Sequence, residues 1–496
     1  MQVKLLLPDN ISVAAVQDVI WLFLPGVELS LLAGAAPVDS KVPVLEVRVE
    51  GGPGGLYGWA AYHSTEGIFC HERKTGPSPT GEVANERKRL ARLLIFFALK
   101  EATGKEPGPW GIFTGIRPTK IVHRLLDRGC NREQTVEILC RDYAVRAGKA
   151  ELITGIALRQ RPLLLPLANN PGQVSVYIGI PFCPTRCLYC SFPAYSLNRH
   201  RQWVAPFTEV LLAEIRAVGE ELCHHNLEVQ SIYFGGGTPT SLAAEQLAEL
   251  LEAANLYLRT AGTVEFTVEG GRPDTLSLER LRICAGAGVT RLSINPQSMQ
   301  ERTLKVIGRD HSVEDVYRAV EAARNVGFPV LNMDVIVGLP GEGVADVEST
   351  MEHIKGLAPE NVTVHTLAVK RASRLLDELS NHPLPTGEEA AAMWEVTRKY
   401  AAGSGMVPYY LYRQKRMLGN LENVGYALPG RECVYNIQMI EERQTVIGLG
   451  AGAGSKWVNP RDGSLINQYN PKDPQDYIRR LPELIKRKID KLAAIR

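Results

Sequence analysis

Short β-rich runs alternate with longer helical patterns along residues 173–405, and this alternation constrains the fold more than any other feature of the sequence. Apolar spacing typical of helices separates the runs, as in VEDVYRAVEAARNVG. Strands joined through helices form right-handed βαβ units around a parallel sheet. About six such units predict an α/β fold, a partial or full (β/α) barrel whose ligands collect at the carboxyl ends of its strands. The predicted strands are 174–180, 229–235, 264–269, 289–295, 330–338 and 362–369.

Regions of different character flank this predicted barrel core. Residues 1–165 mix strand-like and helical patterns and predict an N-terminal α+β domain of unknown role. Residues 406–496 carry aromatics, a glycine-rich run and a basic C-terminal helix, and predict an extension that covers the substrate. The segment 161–172 holds three prolines and an Asn-Asn-Pro-Gly turn, so it predicts a linker. A chain of 496 residues is long enough for such a division into domains.

Charge, cysteine content and hydropathy narrow the class of protein. Lysine and arginine number 56 against 54 aspartates and glutamates, so the overall charge gives no indication of nucleic-acid binding. Nine cysteines, an odd number scattered along the chain, argue against a secreted disulfide framework and favour a reducing cytoplasm. No cationic start leads into an unbroken apolar run, which argues against a signal peptide and a membrane span.

Three cysteines cluster just after the first predicted strand, in PFCPTRCLYC. Cys183, Cys187 and Cys190 have the spacing C-x3-C-x2-C, and no fourth cysteine is nearby. A complete [4Fe–4S] site takes four thiolates, so three predict a cluster with one iron open to a small molecule. The alternative is a structural zinc site with His200 or a distant histidine as fourth ligand. Zinc sites usually show paired cysteine half-sites, and the absence of a second pair favours the cluster.

These cysteines, with Tyr189 before the last of them, resemble the radical S-adenosylmethionine (SAM) superfamily. More narrowly, YIGIPFCPTRCLYCSF is similar to the oxygen-independent coproporphyrinogen III oxidase family. The resemblance covers residues 173–455. Further motifs of that family follow in order, namely YFGGGTPT, TVEGGRPDT, RLSINPQS, GRDHS, MDVIVGLPGE and GLGAGAGS.

The resemblance implies a set of site residues. Cys183, Cys187 and Cys190 would bind the cluster and serve catalysis. A glycine run at a strand end lets backbone approach a ligand, although a simple turn explains it as well. Asp334 lies in a hydrophobic strand and needs a partner, either SAM ribose hydroxyls or a buried arginine. The residues implied to contact SAM are Tyr177, Gly235, Gly236, Thr238, Glu269, Gln297, Arg309, Asp334 and Ala368.

Arg309 has two interpretations, a cation beside the SAM carboxylate or a surface helix residue. The sequence also departs from the family at three positions. Gly179 stands where members usually carry histidine, and Phe192 stands where many carry another cysteine. Tyr435 stands where the related haem-chaperone branch has a histidine before asparagine.

The function implied by the resemblance is oxidative decarboxylation of coproporphyrinogen III propionates to vinyl groups, giving protoporphyrinogen IX. The implied cofactors are a [4Fe–4S] cluster and SAM, and the implied partners are the tetrapyrrole and an electron donor such as flavodoxin or ferredoxin. Arg371, Arg374 and Arg413 are candidates for gripping substrate carboxylates. Two alternatives stay open: a haem-binding or haem-trafficking protein without oxidase activity, and a radical SAM methyltransferase.

Overall fold

The computed structural model describes residues 2–32, 42–76, 82–168, 172–192, 194–459 and 462–495. The chain divides into two compact units, Met1–Ala157 and Leu158–Arg496. Within the described ranges, no helix is both long and apolar enough to cross a membrane.

The first unit contains a mixed five-stranded sheet in the order β2-β1-β3-β4-β5. β1 is parallel to β2 and β3, whereas β3, β4 and β5 pair antiparallel. The strands are β1 (Gln2–Leu6), β2 (Glu28–Leu31), β3 (Val44–Gly52), β4 (Gly55–Ser64) and β5 (Gly67–Lys74). The helices are α1 (Val13–Phe23), α2 (Val83–Thr103), α3 (Thr119–Asp127), α4 (Arg132–Tyr143) and α5 (Ala147–Ala168), which passes the boundary between the units.

Helix α2 packs closely on β4 because of one glycine. A Cβ atom on Gly58 would lie 2.6 Å from Leu94 Cδ1. The missing side chain therefore admits the apolar face of α2, where Leu90 and Leu94 are fully buried.

The second unit is built on one eleven-stranded sheet, in the order β14-β15-β13-β12-β11-β10-β9-β6-β16-β17-β18. The seven central strands, from β13 to β16 in that order, are parallel, and the flanking pairs are antiparallel. The strands of this sheet are β6 (Gln173–Ile180), β9 (Glu228–Gly236), β10 (Glu265–Gly271), β11 (Arg291–Ile294), β12 (Val330–Val337), β13 (Asn361–Thr366), β14 (Val407–Tyr412), β15 (Asn423–Ala427), β16 (Thr445–Gly450), β17 (Gly454–Val458) and β18 (Leu465–Tyr469). Two further strands, β7 (Phe182–Cys183) and β8 (Tyr195–Ser196), pair with each other in a separate two-stranded sheet. Strands β14 and β18 form the two edges of the eleven-stranded sheet, so the sheet does not close on itself. The predicted α/β fold is therefore confirmed, in the form of a partial barrel.

Helices connect and cover the parallel strands of this sheet. Helix α11 shows how the sequence sets their limits: Ser312 and Asp315 form a capping box at its start, and Gly327 ends it in the left-handed region at φ +96°. The helices are α6 (Leu197–His200), α7 (Val204–His224), α8 (Ala244–Tyr257), α9 (Leu278–Gly286), α10 (Glu301–Val306), α11 (Val313–Val326), α12 (Val344–Leu357), α13 (Arg374–Asp377), α14 (Gly387–Gly403), α15 (Val434–Glu441) and α16 (Pro474–Leu492). Short 3-10 turns are Arg201–Trp203, Pro239–Ser241, Pro273–Thr275, Leu379–Asn381 and Leu418–Asn420.

All six predicted strands are present, as β6 and β9 to β13. A seventh parallel strand, β16, was not predicted because its glycines suggest a turn. Gly450 adopts φ +85°, and a Cβ there would lie 2.3 Å from Gly179 O. The sheet therefore continues across residue 405 into the C-terminal region, whose role in covering substrate stays a prediction.

The predicted linker is wrong for its first eight residues, since α5 continues to Ala168. Leu164 is fully buried and packs in an apolar cluster with Tyr409 and Ile437. This packing outweighs the poor helical propensity of the prolines. Residues 169–171 of the predicted linker lie outside the described residues.

Candidate functional site

The implied site residues lie along the carboxyl half of the parallel strands. Tyr177 in β6, Glu269 in β10 and Asp334 in β12 are strand residues, and Gly235 and Gly236 end β9. Gln297 follows β11 and bridges Val335, and Ala368 follows β13 and bridges Met417. The sheet thus collects them at the edge where parallel α/β folds bind ligands.

The cysteine loop is held to this edge by backbone hydrogen bonds. Its first part, β7, pairs with β8, aligning Cys183 with Ser196. Leu188 N donates to Ile307 O at 3.0 Å, and Leu188 O accepts from Leu375 N at 3.0 Å. Leu188 also lies in an apolar cluster with both partners. The chain therefore presents its three thiols from a fixed loop.

The thiols are desolvated. Cys187 is buried, and Cys183 and Cys190 are half-buried. Cys183 Sγ lies 3.4 Å from Thr238 Oγ1. Burial raises the pKa of Cys183 to about 12 and also raises the pKa of Cys190. Positive charge from bound iron would offset this effect, because metal binding displaces the thiol protons.

The donor set fits a cluster better than a zinc ion. Among the residues described, no three histidine, cysteine or carboxylate side chains converge on one metal-ion position. Zinc needs such convergence, whereas cluster cysteines each bind a different iron. His200, the zinc alternative, has Nδ1 at 3.0 Å from Ser196 O and packs its ring against Tyr195.

The Gly235–Gly236–Gly237 run brings β9 against the cysteine loop. A Cβ on Gly237 would lie 2.4 Å from Phe182 O and 3.0 Å from Cys183 Sγ. Gly236 adopts φ +110°, which L side chains rarely reach. The glycines therefore allow the backbone at the end of β9 to contact the backbone of the cysteine loop. The close approach of a ligand, which the sequence predicts for these glycines, is a separate role.

Glu269 and Tyr233 form a short pair inside the site. Tyr233 Oη donates to Glu269 Oε1 at 2.5 Å. Burial raises the pKa of Glu269 to about 7, with the Asp334 charge adding to the effect and the hydrogen bonds from Tyr233 and the Gly236 backbone opposing it. Glu269 is thus a carboxyl whose charge changes near neutral pH.

Asp334 is partnered by an amide and a histidine, so the buried-arginine interpretation is wrong. Asn332 Nδ2 donates to Asp334 Oδ1 at 2.8 Å, and His365 Nε2 lies 3.5 Å from Asp334 Oδ2. Tyr412 Oη lies 3.3 Å from His365 Nδ1. No role for His365 could be predicted from the sequence because this contact depends on the pairing of β12 with β13.

Gln297 and Arg309 each have a buried polar atom without a hydrogen-bond partner among the described residues. Gln297 adopts φ +71°, and its side-chain Oε1 makes no hydrogen bond within the described structure. Arg309 donates to Asn295 O and, at 3.3 Å, to Tyr189 Oη, while its Nε has no partner there. Arg309 is buried beside Cys187, so its interpretation as a surface helix residue is wrong. Such unpaired atoms suit a site that receives a polar ligand.

Three tyrosines from distant parts of the sequence stack beside these residues. The Tyr435 ring centroid lies 4.3 Å from that of Tyr233 and 5.8 Å from that of Tyr177. Tyr177 and Tyr233 are directly paired across β6 and β9. Sequence reasoning placed Tyr177 at the site and noted Tyr435 only as a departure from the haem-chaperone branch. The strand alignment could have identified Tyr233, but nothing local predicts that Tyr435 stacks on it.

Comparison with known proteins agrees with this geometry. A family model described as the radical SAM superfamily matches residues 177–354. The oxygen-independent coproporphyrinogen-III oxidase-like protein HemZ of Bacillus subtilis is 41% identical over 426 residues, covering 86% of this chain and 85% of that protein. The haem chaperone HemW of B. subtilis is 32% identical over 58% of this chain and 73% of its own length.

Among solved structures, coproporphyrinogen III oxidase (HemN) from Escherichia coli shares the fold. It has a TM-score of 0.51 and 22% identity, over 66% of this chain and 73% of that one.

The partial barrel and its three-cysteine loop define the radical SAM class, whose cofactors are a [4Fe–4S] cluster and SAM. Within that class, the chain belongs to the HemZ-like family.

Proposed function

We propose that the chain is a radical SAM oxidoreductase of porphyrin and haem biosynthesis that converts coproporphyrinogen III propionates to vinyl groups. The names of HemZ and HemN support this activity, whereas the HemW relatives are haem chaperones. The relatives therefore do not discriminate between an oxidase and a haem carrier, and features of the site have to do so.

The environment of Tyr435 is the observation that discriminates between these two functions. It replaces the histidine of the haem-chaperone branch, and tyrosine can ligate haem iron only through its oxygen. Here the side chain is 5% exposed, with its ring stacked on Tyr233. Burial also raises the pKa of Tyr435 well above its ordinary value. This environment supports a packing role and so favours the oxidase.

In this proposal Cys183, Cys187 and Cys190 hold the cluster, and the surrounding polar residues hold SAM. When bound, the cluster and SAM would together supply the radical chemistry for removing a hydrogen atom from a substrate. Glu269 and Asp334 offer carboxylate oxygens to hydroxyl groups. The unpaired atoms of Gln297 and Arg309, with the backbone of 235–238, suit polar ends of a ligand.

The apolar cluster beside this site is largely aromatic, since Tyr177, Tyr233 and Tyr435 share it with Tyr409, Tyr410 and Tyr412. Tyr409 and Tyr410 are buried, and Tyr410 stacks with Tyr412 at 6.2 Å. A buried aromatic cluster of this kind limits the access of water to a reactive intermediate in the neighbouring site.

The three arginines predicted to bind substrate carboxylates differ in their exposure and in the partners they already have. Arg413 is buried and donates to the backbone of Leu421 and to Asn420, and burial lowers its pKa to about 10. Arg374 pairs with Glu378 at 3.4 Å. Arg371 is exposed. Arg413 therefore serves the 420–421 turn, and the two others lie at the surface.

The test is anaerobic incubation of reconstituted protein with SAM, dithionite and coproporphyrinogen III. Vinyl products and carbon dioxide are expected. Cys187→Ala should abolish SAM cleavage, whereas Cys284→Ala, a buried thiol in α9, should retain it. Tight haem binding without turnover would instead identify a carrier, and a methylated product a methyltransferase.

We also propose the cytoplasm as the compartment. All nine cysteines are free, which suits reducing conditions.

A further inference from the structure

Cations are concentrated in three segments of the second unit. Residues 172–208, 361–376 and 407–421 contain nine lysines and arginines and no aspartate or glutamate. The whole chain is almost balanced, at 56 cations against 54 carboxylates, so this separation of charge is local.

The fold joins these three segments around the cysteine loop. Pairing of β7 with β8 holds the chain after Tyr195 against Cys183. Arg186 Nη2, within the cysteine loop, donates to Ala372 O at 2.6 Å. The bridge between Ala368 and Met417 adds the third segment.

Five of these cations are exposed and, unlike Arg374, are not paired with Glu378; we call them the basic rim, and they are Arg199, Arg201, Arg371, Lys415 and Arg416. An apolar side chain accompanies them, since Phe192, two residues after Cys190, is 62% exposed. A further cation, Lys370, lies near enough to Cys190 to interact with it electrostatically. The rim thus belongs to segments that are joined to the loop carrying the thiols.

We infer that the basic rim and Phe192 dock an acidic one-electron carrier protein beside Cys190. The inference rests on the proposed placement of the cluster on Cys183, Cys187 and Cys190. One electron leaves the carrier and enters the cluster; the carrier is oxidised and the cluster reduced by one electron, with no bond made or broken. Opposite charges steer such encounters and set the orientation of docking.

The exposure of the cations in the basic rim favours a protein over a small polyanion as the partner that binds there. Small carboxylates and phosphates are best held by buried, two-pronged arginines. Buried Arg272 near this loop is already bonded to both Asp274 oxygens and to Thr185. The exposed cations around an apolar residue match instead the polar rim and apolar centre of a transient protein interface.

The test measures binding and electron transfer with a bacterial flavodoxin as the probe. The Arg199→Glu/Arg201→Glu double variant should bind flavodoxin about tenfold more weakly at low salt. Cluster reduction by reduced flavodoxin should slow in parallel, and added salt should remove the difference. SAM cleavage driven by dithionite should be unchanged, because that small reductant needs no docking.

A matched control reverses two exposed cations on outer helices, Arg282→Glu/Lys355→Glu in α9 and α12. It should bind flavodoxin as the wild type does. Equal binding by the rim variant and this control would overturn the inference. So would a raised KM for coproporphyrinogen in the dithionite assay with flavodoxin binding intact, since the rim would then be a substrate port. Flavodoxin binding and cluster reduction can be measured even if no vinyl product forms, so failure of the proposed oxidase is distinguishable.

Discussion

Lys488 and Glu214 form an ion pair with no exposed surface, at 2.8 Å between Nζ and Oε1. The other oxygen of Glu214 accepts from Gly450 N at 2.7 Å and from Tyr477 Oη at 2.6 Å. Asn470 joins the network through Lys488. The pair therefore ties α16 and α7 to the end of β16, the strand that sequence reasoning missed.

Lys488→Met should lower the free energy of unfolding by about 3–5 kcal/mol, because it leaves the Glu214 carboxylate buried without a cation. Chemical denaturation measures the loss. Lys486→Met, at an exposed position of the same helix, is the control and should change stability little. Adding Glu214→Gln to Lys488→Met should recover part of the loss. Equal stability of the two lysine variants would show that the pair is not needed.

Gly237→Ala should reduce cluster content. The new Cβ would lie 2.4 Å from Phe182 O, so β7 and Cys183 must move. Iron and sulfide per chain after anaerobic reconstitution are the measurements. Gly286→Ala, where a Cβ meets nothing within 4 Å, should load iron normally. Full iron content in Gly237→Ala would contradict the close approach of these backbones.

The parallel strands were predictable from sequence because they are buried on both faces and so appear as short apolar runs. All four residues of β11 are buried, for example. Strand β16 escaped prediction for a local reason: Gly448 and Gly450 are needed for close approach to Gly454 and Gly179. Glycines selected for packing have the same sequence signature as turn glycines.

The cysteine loop was predictable because all three thiols lie within eight residues. The partners of Glu269 and Asp334 were not. Tyr233 and His365 reach them from neighbouring strands, and that depends on strand register rather than on local sequence. Whether these residues contact SAM stays a prediction, which binding measurements on variants can test.

Tyr435→Phe should leave both stability and haem affinity close to wild type, because the ring rather than the hydroxyl fills the stack with Tyr233. Tyr435→Ala should lose about 3–5 kcal/mol of stability by opening a cavity. Haem titration and chemical denaturation measure the two effects. A large loss of haem affinity in Tyr435→Phe alone would show that the hydroxyl binds iron, and would support haem trafficking.

Glu269 should make stability fall as the pH rises from acid to neutral. Burial raises the pKa of this carboxyl from 4.5 to about 7, so the folded chain holds the proton more tightly than the unfolded chain. Its contribution is fully present below the ordinary pKa and is lost as the pH passes the raised one. Glu269→Gln cannot ionise and avoids that loss.

In cofactor-free protein, Glu269→Gln should therefore match the wild type near about pH 4 and exceed its free energy of unfolding by about 1–3 kcal/mol near about pH 8.5. Chemical denaturation at both pH values gives the comparison. Glu249→Gln, an exposed position in α8, should follow the wild type at both. Because Tyr233 can still donate to the amide oxygen of glutamine, the hydrogen bond is kept and the pH dependence isolates the charge. A variant less stable than the wild type at the higher pH would show that Glu269 is stabilised as the carboxylate.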